Sequence, residues 1–176
     1  MIQEFSAALE MTDIFKILNI NFAKNLQMEN FKIIGISTET SNQNNQAAAD
    51  LGKLWQRFFA EETASKIPNK ENEDIYAIYT DYESDYTGRY TTIIGQQVST
   101  LDNIPDGFVG REIKNERLIK YKAKGEMPQA VVDTWQEIWA NDIALYRTYN
   151  ADFEVYGEKS QQGSDSEVEI YIGVRS

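Results

Sequence analysis

The sequence contains no cysteine and no histidine among its 176 residues. Without cysteine, the chain cannot form disulfides, thiolate nucleophiles or cysteine-based zinc sites. Without histidine, it lacks the commonest general base and the commonest metal ligand of proteins. Serine–histidine and cysteine–histidine catalytic arrangements are therefore excluded, and any chemistry would depend on carboxylates, tyrosines or lysines.

Positive charge is also scarce. The 17 lysines and arginines are outnumbered by 28 acidic residues, which gives a net charge of −11. Because nucleic-acid binding normally relies on a basic face, and no run of basic residues occurs, we expect no direct nucleic-acid partner. An acidic balance is compatible with cationic ligands, although it also serves simply to keep a protein soluble.

Membrane, targeting and cofactor signals are missing as well. No segment is long and apolar enough to span a membrane, and the start, MIQEFSAALEMTDIFKILNI, does not resemble a secretory signal. A calcium loop is excluded because DYESDYTGRYTT has Tyr86 where an EF-hand needs glycine and Thr92 where it needs glutamate. Neither glycine-rich nucleotide-binding motif is present. We therefore expect a cytoplasmic protein with no membrane partner, no metal and no cofactor.

The sequence contains one order of elements twice. In the first half, FKIIGIST (31–38) predicts a strand, AAADLGKLWQRFFAEE carries one apolar helical stripe, and DIYAIYTDYES and RYTTIIGQQV predict two strands. In the second half, RLIKYKAKG (117–125) predicts a strand, and QAVVDTWQEIWANDIALY predicts a helix with Pro128 in its first turn. DFEVYGEK and EVEIYIGVR predict the last two strands.

The two halves also match in residues. WQRFF (55–59) matches WQEIW (135–139) at an offset of 80, and DIYAI (74–78) aligns with DFEVY (152–156) at an offset of 78. Several matches at nearly the same offset and in the same order indicate an internal duplication of a β-α-β-β unit.

We predict an α+β fold in which the two units, residues 31–100 and 117–176, form one antiparallel sheet with both helices packed on it. A pseudo-twofold axis should run between the halves. The seam between the two helices is a natural place for a ligand pocket. Residues 1–30 lie outside the repeat and are expected to be an N-terminal extension, either helical or mobile.

Four features together resemble the GyrI-like effector-binding domains over residues 31–176: FKIIGIST, the tryptophan in the first helix, IYAIYTDYESDYTGRYTTIIG, and the pair FEVYGEK and VEIYIGV. These domains are the small-molecule modules of AraC- and MerR-type bacterial multidrug regulators, and they also occur alone. The resemblance implies a non-enzymatic ligand sensor with its pocket between the helices and the sheet. The sequence shows no DNA-binding domain, so transcriptional regulation would need a partner.

In the drug-binding members of that family, aromatic rings and a buried glutamate attract cationic lipophilic compounds, and the matching glutamate here is Glu154. Its neighbours Phe153 and Val155 should point to the opposite face of the strand. From the residues alone, a carboxylate in an apolar strand is either solvent-exposed or buried; the resemblance favours the pocket. Because Glu154 aligns with Tyr76 in the repeat, we expect the two to face each other across the seam.

The other predicted ligand-binding residues are aromatic, and core packing is an alternative role for the tryptophans among them: Trp55, Trp135, Trp139, Tyr79, Tyr90 and Tyr156. Strand alternation places Tyr76 and Tyr82 on one face and Tyr79 on the other. Tyr86 is expected in an exposed turn beside a solvated acidic rim, which comprises Asp81, Glu83 and Asp85.

Three functions are consistent with the sequence. The first is non-catalytic binding of amphipathic, cationic aromatic small molecules. The second is a protein–protein inhibitor, since part of the resembled family is associated with DNA gyrase; its action would not depend on Glu154. The third is a small-molecule hydrolase that uses Glu154 with Tyr76 or Tyr156. Besides the small molecule, the expected partners are a separate DNA-binding regulator or gyrase, or a second copy of the chain.

Overall fold

The computed structural model describes residues 26–114 and 117–175, without the side chains of residues 26, 27 and 144. The strands are β1 (Leu26–Gln27), β2 (Phe31–Ser41), β3 (Ile75–Thr80), β4 (Arg89–Val98), β5 (Val109–Ile113), β6 (Arg117–Lys124), β7 (Ala151–Tyr156) and β8 (Glu167–Gly173). The helices are α1 (Gln46–Ala60), α2 (Thr63–Lys66), α3 (Gln129–Ala140) and α4 (Asp142–Leu145). The predicted N-terminal extension lies, up to residue 25, outside the described residues.

The strands form one eight-stranded antiparallel sheet in the order β1-β6-β8-β7-β3-β4-β2-β5. The predicted duplication is confirmed, because β2-α1-β3-β4 and β6-α3-β7-β8 occupy the two halves of this sheet. The two halves meet where β3 pairs with β7, and in this pair Ala77 lies opposite Glu154. The edge strands β1 and β5 were not predicted, since one has two residues and the other, VGREI, lacks a clear alternation.

Both long helices pack on the same face of the sheet, as predicted. Helix α1 buries Leu54 and Phe58, and α3 buries Val131, Trp135 and Ile138. These residues recur at the spacing of one helical face, so burial of that face accounts for where the helices lie. At the margin of the α1 stripe, Phe59 is 57% exposed. This margin borders the open seam between the helices.

The opposite face of the sheet is apolar as well. Phe31, Ile78 and Phe153 belong to a second buried cluster on that side, and the Phe31 and Phe153 rings meet at 5.3 Å. Phe153 and Val155 therefore lie on the face opposite Glu154, as predicted, and this is the face that points away from the helices. Because both faces are buried, the central strands read as nearly continuous apolar runs. Among the described residues, no helix is long and apolar enough to cross a membrane.

Candidate functional site

A cavity of about 1120 Å³ lies between α1, α3 and the centre of the sheet. Its position agrees with the predicted seam. Ligand pockets in proteins commonly have volumes of roughly 300–1,000 Å³, so this cavity can hold a drug-sized molecule. Its aromatic lining comprises Trp55, Phe59, Tyr79, Tyr82, Tyr86, Tyr90, Trp135, Trp139 and Tyr156.

Glu154 is the buried acidic group of this cavity. Strand alternation in β7 turns its side chain toward the helices, and the residue is 1% exposed. Its Oε1 accepts hydrogen bonds from the Tyr79 hydroxyl at 2.8 Å and from Trp135 Nε1 at 2.6 Å. Its Oε2 accepts a hydrogen bond from the Tyr156 hydroxyl at 2.6 Å. The carboxylate is therefore held by three neutral donors from β3, α3 and its own strand.

Burial raises the pKa of Glu154, and the hydrogen bonds from Tyr156, Trp135 and Tyr79 oppose that shift only in part. Burial also raises the pKa values of Tyr79 and Tyr156 far above their ordinary range, and the nearby Glu154 charge adds to the effect. Both phenols therefore remain protonated donors near neutral pH. Neutral donors stabilise a carboxylate without cancelling its charge, so ionised Glu154 keeps a full negative charge at the cavity wall.

Aromatic rings wall the cavity at both ends. At one end, Trp55 stacks on Phe59 with ring centroids 5.8 Å apart and meets Tyr156 edge-on at 5.0 Å. At the other end, Tyr86 stacks on Trp139 at 5.7 Å with an angle of 10° between the rings. Such walls offer both apolar contact and ring faces that attract positive charge.

A polar bridge holds the Tyr86 end. Tyr90 donates its hydroxyl hydrogen to Asn42 Oδ1 at 2.7 Å, and Asn42 Nδ2 donates to the Tyr86 carbonyl at 2.8 Å. Burial, with a smaller effect of Glu154, raises the pKa of Tyr90 to about 12. Tyr90 therefore stays protonated and keeps this bridge intact at neutral pH.

The structure gathers seven of the eight predicted ligand-binding residues around this cavity: Glu154, Trp55, Trp135, Trp139, Tyr79, Tyr90 and Tyr156. Tyr76 is the exception, and its prediction requires correction. It belongs to the cluster on the opposite face of the sheet and donates its hydroxyl hydrogen to Gln97 Oε1 at 3.0 Å. Tyr76 lies opposite Val155, not Glu154. The sequence alignment of the two repeats was therefore shifted by an odd number of residues in β3 and β7. Such a shift assigns each side chain to the wrong face of the sheet.

Tyr82 and Tyr86 also line the cavity, although the sequence pattern placed them elsewhere. β3 ends at Thr80, and Asp81 adopts a left-handed backbone with φ of 52°. The strand alternation therefore stops before Tyr82, which turns to the helix side. Tyr86 is half-buried against Trp139 rather than exposed. Aspartate adopts the left-handed conformation more readily than most residues. The presence of aspartate at position 81 is therefore the sequence feature that could have indicated the end of β3.

A second polar cluster adjoins the cavity and escaped the sequence analysis. Asp152 is fully buried and forms an ion pair with Arg147 Nη2 at 2.5 Å. The same Asp152 Oδ2 accepts a hydrogen bond from the Tyr82 hydroxyl at 2.7 Å, while Oδ1 accepts one from the Gly173 amide at 3.0 Å. Burial opposes the charge of Arg147, but the Asp152 carboxylate outweighs it and holds the pKa of Arg147 above its ordinary value.

Comparison with known proteins gives one family match and several related structures. The model of the family described as Cass2, integron-associated effector binding protein, matches residues 26–174. An integron cassette protein from the mobile metagenome of Vibrio cholerae is 30% identical, with a TM-score of 0.66, covering 85% of this chain and 94% of that protein.

Two further proteins match over a similar share of this chain. The putative transcriptional regulator protein YobU of Bacillus subtilis is 24% identical over 147 residues, covering 82% of this chain and 92% of YobU. The structure of SAV2435 bound to tetraphenylphosphonium has a TM-score of 0.72 at 18% identity, covering 86% of this chain and 92% of SAV2435. At that identity, the likeness to SAV2435 shows a shared fold.

Proposed function

This chain belongs to the Cass2 family of integron-associated effector binding proteins, and from that premise we propose that it binds amphipathic aromatic monocations in the cavity between α1 and α3. The predicted resemblance to effector-binding domains is thereby confirmed, and small-molecule binding follows from the family. The proposed finer specificity assigns Glu154 as the counter-ion of the ligand and the surrounding rings as its walls.

One observation carries the proposal: Glu154 is buried in a ring-lined cavity with neutral hydrogen-bond donors as its partners. An ionised carboxylate in such a place has lost hydration, and a bound organic cation would compensate for that loss. Each cation–π contact contributes about 0.5–2 kcal/mol. Several such contacts, the ion pair and apolar burial together reach the roughly 8 kcal/mol that micromolar affinity requires.

The ligand chemistry of a structural neighbour is consistent with this proposal. SAV2435 was solved with tetraphenylphosphonium, a lipophilic aromatic monocation. The two alternatives from the sequence remain testable against it. An inhibitor of another protein would act independently of Glu154. A hydrolase would turn over its ligand and lose that turnover in Glu154→Gln.

A matched pair of ligands tests charge preference directly. We expect 10-methylacridinium to bind at least about tenfold more tightly than acridine at pH 8, because the two ring systems have the same size and only the first is charged. Isothermal titration calorimetry, with tryptophan quenching as a second measurement, gives both affinities. Equal affinities would show that the cavity selects rings by apolar burial alone and would refute the cationic specificity.

The affinity for a cation should also depend on pH. Burial raises the pKa of Glu154 above its ordinary 4.5. As the pH falls through that raised pKa, Glu154 takes up a proton and its attraction for 10-methylacridinium disappears. Tyr79, Tyr156 and Trp135, which face the carboxylate, remain neutral in that range. Asp152, whose pKa burial also raises, remains in Glu154→Gln. We therefore expect affinity to decline on acidification in the wild type and to decline much less in Glu154→Gln; parallel declines in both proteins would exclude Glu154 as the titrating group.

The same pKa shift has the opposite effect on the empty protein. A carboxyl whose folded pKa is raised is protonated more readily in the folded chain than in the unfolded chain. Its contribution to stability therefore improves as the pH falls through the folded pKa, down to the unfolded value of about 4.5. Acidification thus increases the contribution of Glu154 to the stability of the ligand-free protein, while it weakens the binding of cations.

A further inference from the structure

Two buried carboxylates project from β7 toward the helices. Asp152 is 0% exposed and Glu154 is 1% exposed. Because they lie two residues apart on one face of a strand, their backbone positions are separated by about 7 Å. Their partners differ in kind: Glu154 has neutral donors, whereas Asp152 is paired with the guanidinium of Arg147.

Arg147 occupies a cage that itself resembles a cation-binding site. Its Nη2 meets Asp152 at 2.5 Å and its Nη1 meets Asp142 at 3.0 Å. Its guanidinium carbon lies 4.4 Å from the centroid of the Tyr149 ring and 5.9 Å from that of Trp135. Two carboxylates and two ring faces thus surround a positive charge that the chain itself supplies.

The cage and the ligand cavity share walls. Trp135 and Tyr82 both line the cavity. On the cage side, Trp135 faces Arg147, and Tyr82 donates its hydroxyl hydrogen to Asp152. The Arg147 side chain is itself fully buried, and its Nε has no hydrogen-bond partner among the residues that the structure describes. The guanidinium therefore fills a compartment directly behind the cavity wall.

We propose that Arg147 is a specificity-determining residue: it is the resident cation of this second cage and thereby restricts the cavity to ligands with one positive charge. This inference rests on the proposed binding of monocations at Glu154. Removal of Arg147 should leave Asp152 without its counter-ion and open a second cation subsite. The cavity should then favour compact dications whose charges are spaced close to the roughly 7 Å that separates the backbone positions of Asp152 and Glu154.

Benzamidine and benzene-1,4-dicarboxamidine test this inference, because they share one ring and carry one and two planar amidinium groups, which imitate guanidinium. Both affinities would be measured at pH 8 by displacement of 10-methylacridinium from the wild type, Arg147→Ala and Arg147→Ala/Asp152→Asn. We expect the dication to bind Arg147→Ala at least about tenfold more tightly than the wild type, which equals about 1.4 kcal/mol. The monocation should change by less than about threefold, and the double variant should lose the gain.

The outcomes separate this inference from the proposed function. If the dication gains nothing in Arg147→Ala, or gains equally in the double variant, Arg147 does not set the charge preference. If the wild type fails to distinguish 10-methylacridinium from acridine, the proposed function fails on its own. Should Arg147→Ala unfold, refolding with each amidine provides the same comparison: recovery of native tryptophan fluorescence by the dication alone supports the inference, and equal or no recovery overturns it.

Discussion

Glu154→Gln is expected to weaken binding of aromatic monocations by about 1–3 kcal/mol, the range for losing a buried charged partner. The corresponding loss of affinity is roughly five- to 150-fold. The substitution keeps the shape of the side chain and an oxygen that can accept the hydrogen bonds of Tyr79 and Trp135. The charge is removed, and the oxygen that accepts from Tyr156 becomes an amide nitrogen, to which the Tyr156 hydroxyl can turn its own oxygen as acceptor. Binding of neutral rings should therefore change little.

The unfolding temperature of Glu154→Gln shows whether its weaker cation binding comes from the lost charge or from a damaged fold. Glu154 is a buried carboxylate whose raised pKa reflects the loss of hydration. Replacing it with a neutral amide removes that penalty, so we expect the empty Glu154→Gln protein to unfold at the same temperature as the wild type or higher. Weakened binding without weakened folding would identify Glu154 as a binding group rather than a core group.

The matched control is Glu158→Gln, the same substitution at an exposed carboxylate on the rim of the same cavity. Solvent screens a charge at that position, so its loss should change affinity by less than about threefold. Calorimetric titration and thermal unfolding of the three proteins provide the comparison. If Glu154→Gln binds cations like the wild type, Glu154 is not the counter-ion, and a protein partner for the acidic surface becomes the better hypothesis.

The duplication and the position of the cavity could be predicted because they depend on local patterns. The stripe containing Leu54 and Phe58 has helical spacing, the strands are short apolar runs, and matched elements recur in order. Two such units bury their stripes most simply on one sheet. Glu154 stood out because it interrupts an apolar strand, and the family resemblance then favoured burial over exposure.

The features that the sequence did not predict depend on which face of a strand each side chain takes, and on contacts between residues of different elements. One left-handed residue, Asp81, turns Tyr82 to the cavity side. An odd difference in phase between β3 and β7 sends Tyr76 to the other face of the sheet. The ion pair of Asp152 with Arg147 depends on how α4 and the turn after it fold back. Arg147 belongs to no matched motif, and the repeat match DFEVY gives no sign that Asp152 has a basic partner.

Gly95→Ala is expected to lower the free energy of unfolding by at least about 3 kcal/mol, a large effect for a single methyl group. Gly95 on β4 lies opposite Gly35 on β2. A Cβ atom at Gly95 would lie 2.2 Å from the Ile34 carbonyl oxygen and 2.8 Å from the Gly35 Cα. Both obstacles are backbone atoms, so the strands must separate to admit the methyl group. The total stability of a domain is typically about 5–15 kcal/mol, so much of it would be lost.

Gly52→Ala is the matched control for this prediction. Gly52 lies inside α1, and a Cβ atom there would meet no described atom within 4 Å beyond its chain neighbours and the backbone of its own helix. Alanine should stabilise the helix by about 0.5–1 kcal/mol, because glycine loses more backbone freedom on folding. Urea unfolding followed by tryptophan fluorescence measures both changes through the midpoint and the slope. A loss below about 1 kcal/mol in Gly95→Ala would mean that β2 and β4 can move apart easily.

The effect of Gly95→Ala should be confined to folding. Gly95 and Gly35 pair in the first half of the sheet, and neither lines the cavity. Glu154 and two of its donors, Trp135 and Tyr156, belong to the second repeat unit. The folded fraction of Gly95→Ala should therefore bind 10-methylacridinium with nearly wild-type affinity, and added ligand should raise its midpoint by mass action. Together with Glu154→Gln, which should weaken binding and preserve folding, this result would show that the close strand pair and the buried carboxylate serve separate purposes in one small domain.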